Sequence, residues 1–122
     1  MDVLDILLKS NIPKLPEKEI KLKRLSNEWG QDVIFSIRAL TYNRVVEIKN
    51  LHSEDDMGIH IMLEGVIKPN LRDEELKRKY NAPTPVEMVK AMLLPGEIED
   101  ISRAIERLSG YRITTVEEVK KK

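Results

Sequence analysis

Thr84-Pro85-Val86-Glu87-Met88-Val89-Lys90-Ala91-Met92-Leu93-Leu94-Pro95-Gly96-Glu97-Ile98 is the stretch on which the fold turns. Thr84 is a capping residue, Pro85 takes the first helical position where its missing N–H costs nothing, and Glu87 stands where a capping box wants an acid. A helix therefore starts here, with Val86, Val89, Met92 and Leu93 as its apolar face. Pro95-Gly96 is expected to stop that helix and Glu97 to begin the next. Beyond it Ile98, Ile101, Ile105 and Leu108 recur at spacings of three, four and three, a narrow seam closed by Gly110. Two helices hinged at Met92-Leu93-Leu94-Pro95-Gly96-Glu97 are thus expected in the second half of the chain.

Toward the N-terminus, residues 71–80 read as a short, strongly charged helix with Leu76 and Tyr80 inward. Pro69-Asn70 ends a longer helix that begins at Ser53-Glu54-Asp55-Asp56, whose acids suit the positive end of the helix dipole. Ile59, Met62, Leu63, Val66 and Ile67 give that helix a wide apolar surface and make it the expected centre of the core. Gly58 and Gly65 lie seven residues apart, about two turns. They would admit a close neighbouring helix, although weak helix propensity near the ends explains them equally. Thr41 caps a helix through Leu51 that is expected to bury Val45, Val46 and Ile48.

Before it, Ile20 and Leu22 alternate with Lys21 and Lys23, and Val33, Phe35, Ile37 and Ala39 share one face. A β-hairpin over about 19–39 is expected, closed by the turn-rich Ser26-Asn27-Glu28-Trp29-Gly30-Gln31-Asp32, with Trp29 folded back over it. Val3, Leu4, Ile6, Leu7 and Leu8 suit a short amphipathic helix that Pro13 and Pro16 forbid to continue. Thr114-Thr115-Val116-Glu117-Glu118 is expected to start a last short helix ending in Lys120-Lys121-Lys122. The fold class is α+β, mainly α: an N-terminal β-hairpin (about 19–39) followed by a bundle of four to five short helices. The expected division is an arm at 1–18, one domain at 19–111 and a tail at 112–122.

A chain of 122 residues suits a single modest core. Its 21 basic and 21 acidic residues cancel, so no net field recruits nucleic acid, an anionic membrane or an acidic substrate. There is no cysteine, which removes disulfides, thiolate metal sites and thiol nucleophiles together and fits a reducing compartment. The longest apolar run, 59–67, is broken by His60, Glu64 and Gly65 and falls far below the roughly 20 residues that span a bilayer. Met1-Asp2-Val3-Leu4-Asp5 carries acids where a signal peptide carries basic residues.

His52, Asp56 and His60 are spaced by four and would line one helix face like a metal site, but Ser53 starts a helix that leaves His52 outside. Structural or solvated roles explain them more simply. Glu54, Asp55, Asp56, Glu74, Glu75, Glu99 and Asp100 sit in first turns, where the dipole accounts for them without acid/base work. Without a glycine-rich phosphate loop or a GxSxG motif, the parts of a nucleophilic or phosphoryl-transfer enzyme are missing. Residues 85–110 also invite a helix-turn-helix reading. Glu97, Glu99 and Asp100 would then face the phosphates and repel them. Met57, Met62, Met88 and Met92 suit a core, and also an adaptable groove for apolar helices.

Ile61-Met62-Leu63-Glu64-Gly65-Val66-Ile67-Lys68-Pro69-Asn70-Leu71, the Thr84-to-Ile98 stretch above and Ile105-Glu106-Arg107-Leu108-Ser109-Gly110-Tyr111 together resemble the XkdN-like tail assembly chaperones of phages and of defective phages such as PBSX. The hairpin and the Ala39-Leu40-Thr41-Tyr42 junction join this resemblance, which covers about 20–111 and not the two ends. Leu-Leu-Pro-Gly-Glu at 93–97 is its most specific element. It implies a non-enzymatic assembly factor without cofactor or metal, acting in the host cytoplasm and absent from the mature particle. Its expected partners are the tape measure protein, kept soluble, and the tail tube protein, with self-association open and neither nucleic acid nor membrane bound. The expected partner-binding residues are Met88, Met92, Ile98, Ile101 and Ile105. A structural component of the tail and a small DNA-binding regulator are the alternatives.

Overall fold

Residues 2–120 are described by a computed structural model, in which the elements run α1 (Val3–Lys9), β1 (Glu17–Lys21), α2 (Lys23–Trp29), β2 (Ile34–Arg38), α3 (Tyr42–Leu51), a 3₁₀ turn (Glu54–Asp56), α4 (Met57–Gly65), β3 (Val66–Lys68), α5 (Glu74–Lys79), α6 (Pro85–Met92) and α7 (Pro95–Leu108). The class is α+β with helix dominant. The described residues form seven α-helices: five follow the hairpin, one is the short helix expected in the N-terminal arm, and one lies unexpectedly inside the hairpin connection.

The hairpin exists, with β1 and β2 antiparallel from Glu17↔Arg38 to Lys21↔Ile34. Phe35, Ile37 and Ala39 are buried on one face, as a period of two requires. Its connection is a helix rather than a turn. Alternation ends at Leu22, and the next buried residue, Leu25, lies three further on, which is helical spacing. Gly30, at φ 65°, closes α2 in the left-handed conformation that only glycine adopts cheaply. The Val33 N–H then donates to the buried Ser26 hydroxyl at 2.8 Å, holding the return strand to the helix.

A third strand replaces the last turn of the expected central helix. α4 stops at Gly65, and Val66–Lys68 pairs antiparallel with β2, giving the order β1-β2-β3. Ile37 opposes Val66 and Ser36 opposes Lys68. Val66 is buried and Ile67 is 36% exposed; both are β-branched and suit a strand. Arg72 donates to the Leu63 carbonyl at 2.9 Å, satisfying one of the acceptors that the end of α4 leaves open.

Thr41 caps α3 by accepting from the Arg44 N–H, yet Ile48 is the only buried residue of that helix; Val45 is half-buried and Val46 exposed. α5 is shorter than 71–80 because Asp73 caps it, accepting from Glu75 and Leu76. Thr84 caps α6 as expected, 3.1 Å from the Glu87 nitrogen. Pro95-Gly96, however, does not stop α6. Leu93 and Leu94 do so in extended backbone, and Pro95 is the first residue of α7. The reason is local: a proline forces its predecessor out of the helical region and is itself preset for a first turn. Residues 114–120 form no helix, and Lys121 and Lys122 lie outside the described residues, as does Met1.

The core gathers where α4 crosses α7. Ile105 is fully buried against Gly65, and a Cβ at 65 would stand 2.6 Å from the Ile105 Cδ1 and 2.7 Å from its Cγ2. Gly58, two turns earlier, faces Ser102 and Ile98 at ordinary contact distance. Close helix approach therefore requires glycine at 65 and not at 58, where a methyl group would find ordinary contact. Met62, Met88, Val89 and Ile37 complete the fully buried set. No helix among the described residues is long and apolar enough to cross a membrane.

Gly65→Ala is expected to lower the unfolding free energy by about 1–3 kcal/mol through overpacking. In chemical denaturation, Ile105→Val should recover part of that loss in the double variant, a coupling that independent sites would not show.

Candidate functional site

Three of the five residues expected to meet a partner belong to the core: Met88, Ile101 and Ile105 are buried. Met92 and Ile98 are only partly covered and remain reachable from outside. Met88 and Ile105 leave no side-chain surface for a second protein in this conformation.

Of the acidic and histidine residues singled out from the sequence, His52, Asp56, His60, Glu74 and Glu99 are tied to neighbours. His52, just past α3, stacks on His60 of α4 with ring centroids 3.3 Å apart, while Asp56 pairs with Lys90 at 3.2 Å. Burial, and then the neighbouring His52, push the His60 imidazole below its usual pKa. Among the described residues no group of three potential ligands is placed to hold a metal ion. Glu74 pairs with Lys77 and Glu99 with Arg103 along their own helices, the ordinary spacing of exposed ion pairs.

The joint between α6 and α7 is clamped from α2. Arg24 donates to Glu97 at 2.8 Å and to the Met92 carbonyl, the last residue of α6, at 3.2 Å. Glu97 also accepts from the Leu94 N–H at 2.7 Å, one half of a capping box, since Leu94 has no side-chain acceptor to supply the other. The Arg24 hydrogen bond holds the Glu97 carboxyl below its ordinary pKa of 4.5, outweighing the opposing effect of burial.

Beside this clamp opens an apolar groove of about 590 Å³. α2 contributes Leu25 and Trp29, the start of β2 Val33 and Phe35, and the helical hairpin opposite Leu76, Tyr80 and Met92; Lys79 and Gln31 supply polar edges. The chain has only five aromatic residues, one Trp, one Phe and three Tyr, and Trp29, Phe35 and Tyr80 meet here. Phe35 is buried in the floor, whereas Trp29 is 51% exposed. Instead of closing over the hairpin, the indole stands as a wall of the groove. An exposed tryptophan and a half-buried tyrosine beside a flexible thioether match the composition of protein-binding surfaces, where large rigid rings offer area at little entropic cost. A second hollow, of about 630 Å³, lies across the Arg24–Glu97 pair between β1 and α7 and is lined mainly by charged side chains, among them Lys23, Asp100 and Arg107.

Sequence alone sets Trp29 over the hairpin and Tyr80 inward on a charged helix, and it does not bring them together at one surface because nothing local links them. The available signal was compositional: a lone tryptophan with no place in any periodic stripe.

The family model for phage XkdN-like tail assembly chaperone proteins matches residues 4–121, taking in the N-terminal helix and the C-terminal segment as well as the span between. The crystal structure of the protein yqbn, a Northeast Structural Genomics Consortium target, is similar with a TM-score of 0.63 and 23% identity, covering 80% of this chain and 89% of that one. At that identity the likeness shows the fold alone. No curated protein matches.

Glu97 fixes a pH dependence. Its pKa is depressed in the folded state, so its contribution to stability is complete above the ordinary value of 4.5 and is lost as pH falls through the lower folded value. Thermal melts between about pH 5 and about pH 3 should therefore fall more steeply for the wild type than for Glu97→Gln. Parallel curves would show that Arg24 and Glu97 do not couple in solution.

Proposed function

Since the chain belongs to the phage XkdN-like tail assembly chaperone family, we propose that it works without catalysis as a holding factor. It keeps the tape measure protein of its own phage or prophage soluble while tail tube subunits are recruited, acts in the host cytoplasm and is absent from the finished tail. The observation that carries this reading is the open groove between α2 and the α5–α6 hairpin, bearing an exposed Trp29. A tape measure is a long, largely helical chain whose apolar stripes have no partner before assembly. One such stripe presents side chains at i, i+3, i+4 and i+7, the pattern a hydrophobic groove accepts. Met92 links the groove to the partner-binding residues expected from the sequence, and Ile98 is the other of those residues with accessible surface. The chain's balanced charge suits reversible covering of an apolar segment.

Trp29 is the only tryptophan, so its fluorescence reports directly on the groove. Titration with helical peptides from the tape measure of the same phage should shift the emission to the blue. Trp29→Ala should weaken binding about tenfold or more by calorimetry with little change in melting temperature, and Tyr80→Ala should weaken it similarly while also lowering stability, because Tyr80 packs against the core. Unaltered affinity in both variants would move the partner to another surface. Stoichiometric amounts of this chain in purified particles would replace the chaperone reading with that of a structural tail component.

A further inference from the structure

The N-terminal helix is an apolar element that buries none of its residues. α1 has no buried residue, and Val3, Leu4, Ile6, Leu7 and Leu8 are all exposed, Leu7 and Leu8 at 72%. Seven residues are fewer than the roughly 12–15 an isolated helix needs in water, so α1 requires a packing partner to persist. We infer that the partner is a second copy of this chain: α1 of one copy lies in the groove walled by Trp29, Leu76, Tyr80 and Met92 of the other, and the exchange is reciprocal about a twofold axis.

Three observations carry this. First, chemistry matches. The groove offers aromatic and thioether surface, the helix offers leucine and isoleucine, and the two are apolar surfaces on one chain without cover. Second, charge matches. Asp2 and Asp5 of the helix form no ion pair among the described residues, and neither does Lys79 on the groove edge, although its neighbour Lys77 is paired with Glu74. Third, direction favours exchange over self-docking. The Ala39 N–H donates to the Pro16 carbonyl at 2.9 Å and anchors the arm at the Glu17 end of β1. The groove lies at the other end, where Lys21 opposes Ile34 and Val33 follows, four strand steps or about 13 Å away. Because β1 runs toward the groove, the arm leaves it pointing the opposite way. Residues 10–16 contain no regular structure and carry Pro13 and Pro16, whose fixed φ favours extended backbone. Reaching its own groove would require the chain to reverse direction beside Pro16, whereas a neighbour's groove requires no reversal.

The arm then competes with the apolar helix assigned to the same groove above, although exchange stands on its own observations and is tested without any tape measure peptide. At micromolar concentration, light scattering should give about twice 14.1 kDa for the wild type. The arm variant Leu4→Asp/Leu7→Asp and the groove variant Trp29→Glu should each give the single-chain mass with unchanged circular dichroism. The chain has no cysteine, so Leu7→Cys/Lys79→Cys is a clean trap: oxidation should yield disulfide-linked dimers on a non-reducing gel. A monomeric wild type, a dimer that survives both sets of substitutions, or a disulfide closed within one chain would each overturn the proposal. If exchange fails while peptide binding at Trp29 holds, only the arm's role is lost.

Discussion

The contact between Gly65 and Ile105 is the constraint on which the rest of the structure depends. α4 and α7 approach so closely there that no side chain fits at 65, and Ile105 reaches full burial by filling the space a Cβ would occupy. Packing at the density of protein interiors leaves no slack to absorb even a methyl group. Gly65 is also the last residue of α4, so the position that admits the isoleucine is the one at which the chain leaves the helix and becomes β3. Glycine's low helix propensity and its lack of a side chain serve both needs.

From this crossing the remaining elements take their places. β3 reaches β2 only because α4 ends where it does, and β2, as the middle strand, presents Phe35 and Ile37 to the helices. α2, inserted between β1 and β2, brings Arg24 to the α6–α7 joint and Trp29 to the far side of Phe35. The clamp and the groove are thus two faces of one short helix. Arg24 contributes position more than stability, because exposed ion pairs are weak in water and its side chain is far from buried.

The groove opens between α2 and the short α5. Leu76 and Tyr80, both half-buried, line its other wall opposite the exposed Trp29. An apolar hollow beside a half-exposed tryptophan in a chain with so few aromatic residues is a cost to the isolated molecule, one that the proposed partner would offset on binding. The same logic applies to α1, whose leucines face water.

What the sequence determined by itself was whatever depends on residues within about one helical turn. The caps at Thr41 and Thr84, the helix start at Pro85, the alternation of Phe35, Ile37 and Ala39, and the Ile101–Ile105 seam were all legible, since capping bonds and the periods 3.6 and 2 are local. Proline's effects are also local, and Pro95 shows two of them: it holds Leu94 out of the helix and opens α7 as its first residue. Only the tertiary structure decided that Val66-Ile67 is a strand, since its partner Ile37 is remote in the chain, and that Lys23–Trp29 is a helix, since Leu25 and Ser26 are held by what they pack against. It alone decided which methionines and isoleucines are core and which are surface. An apolar stripe announces that a helix face will be covered, but whether its own chain or another covers it depends on the neighbours that folding brings there.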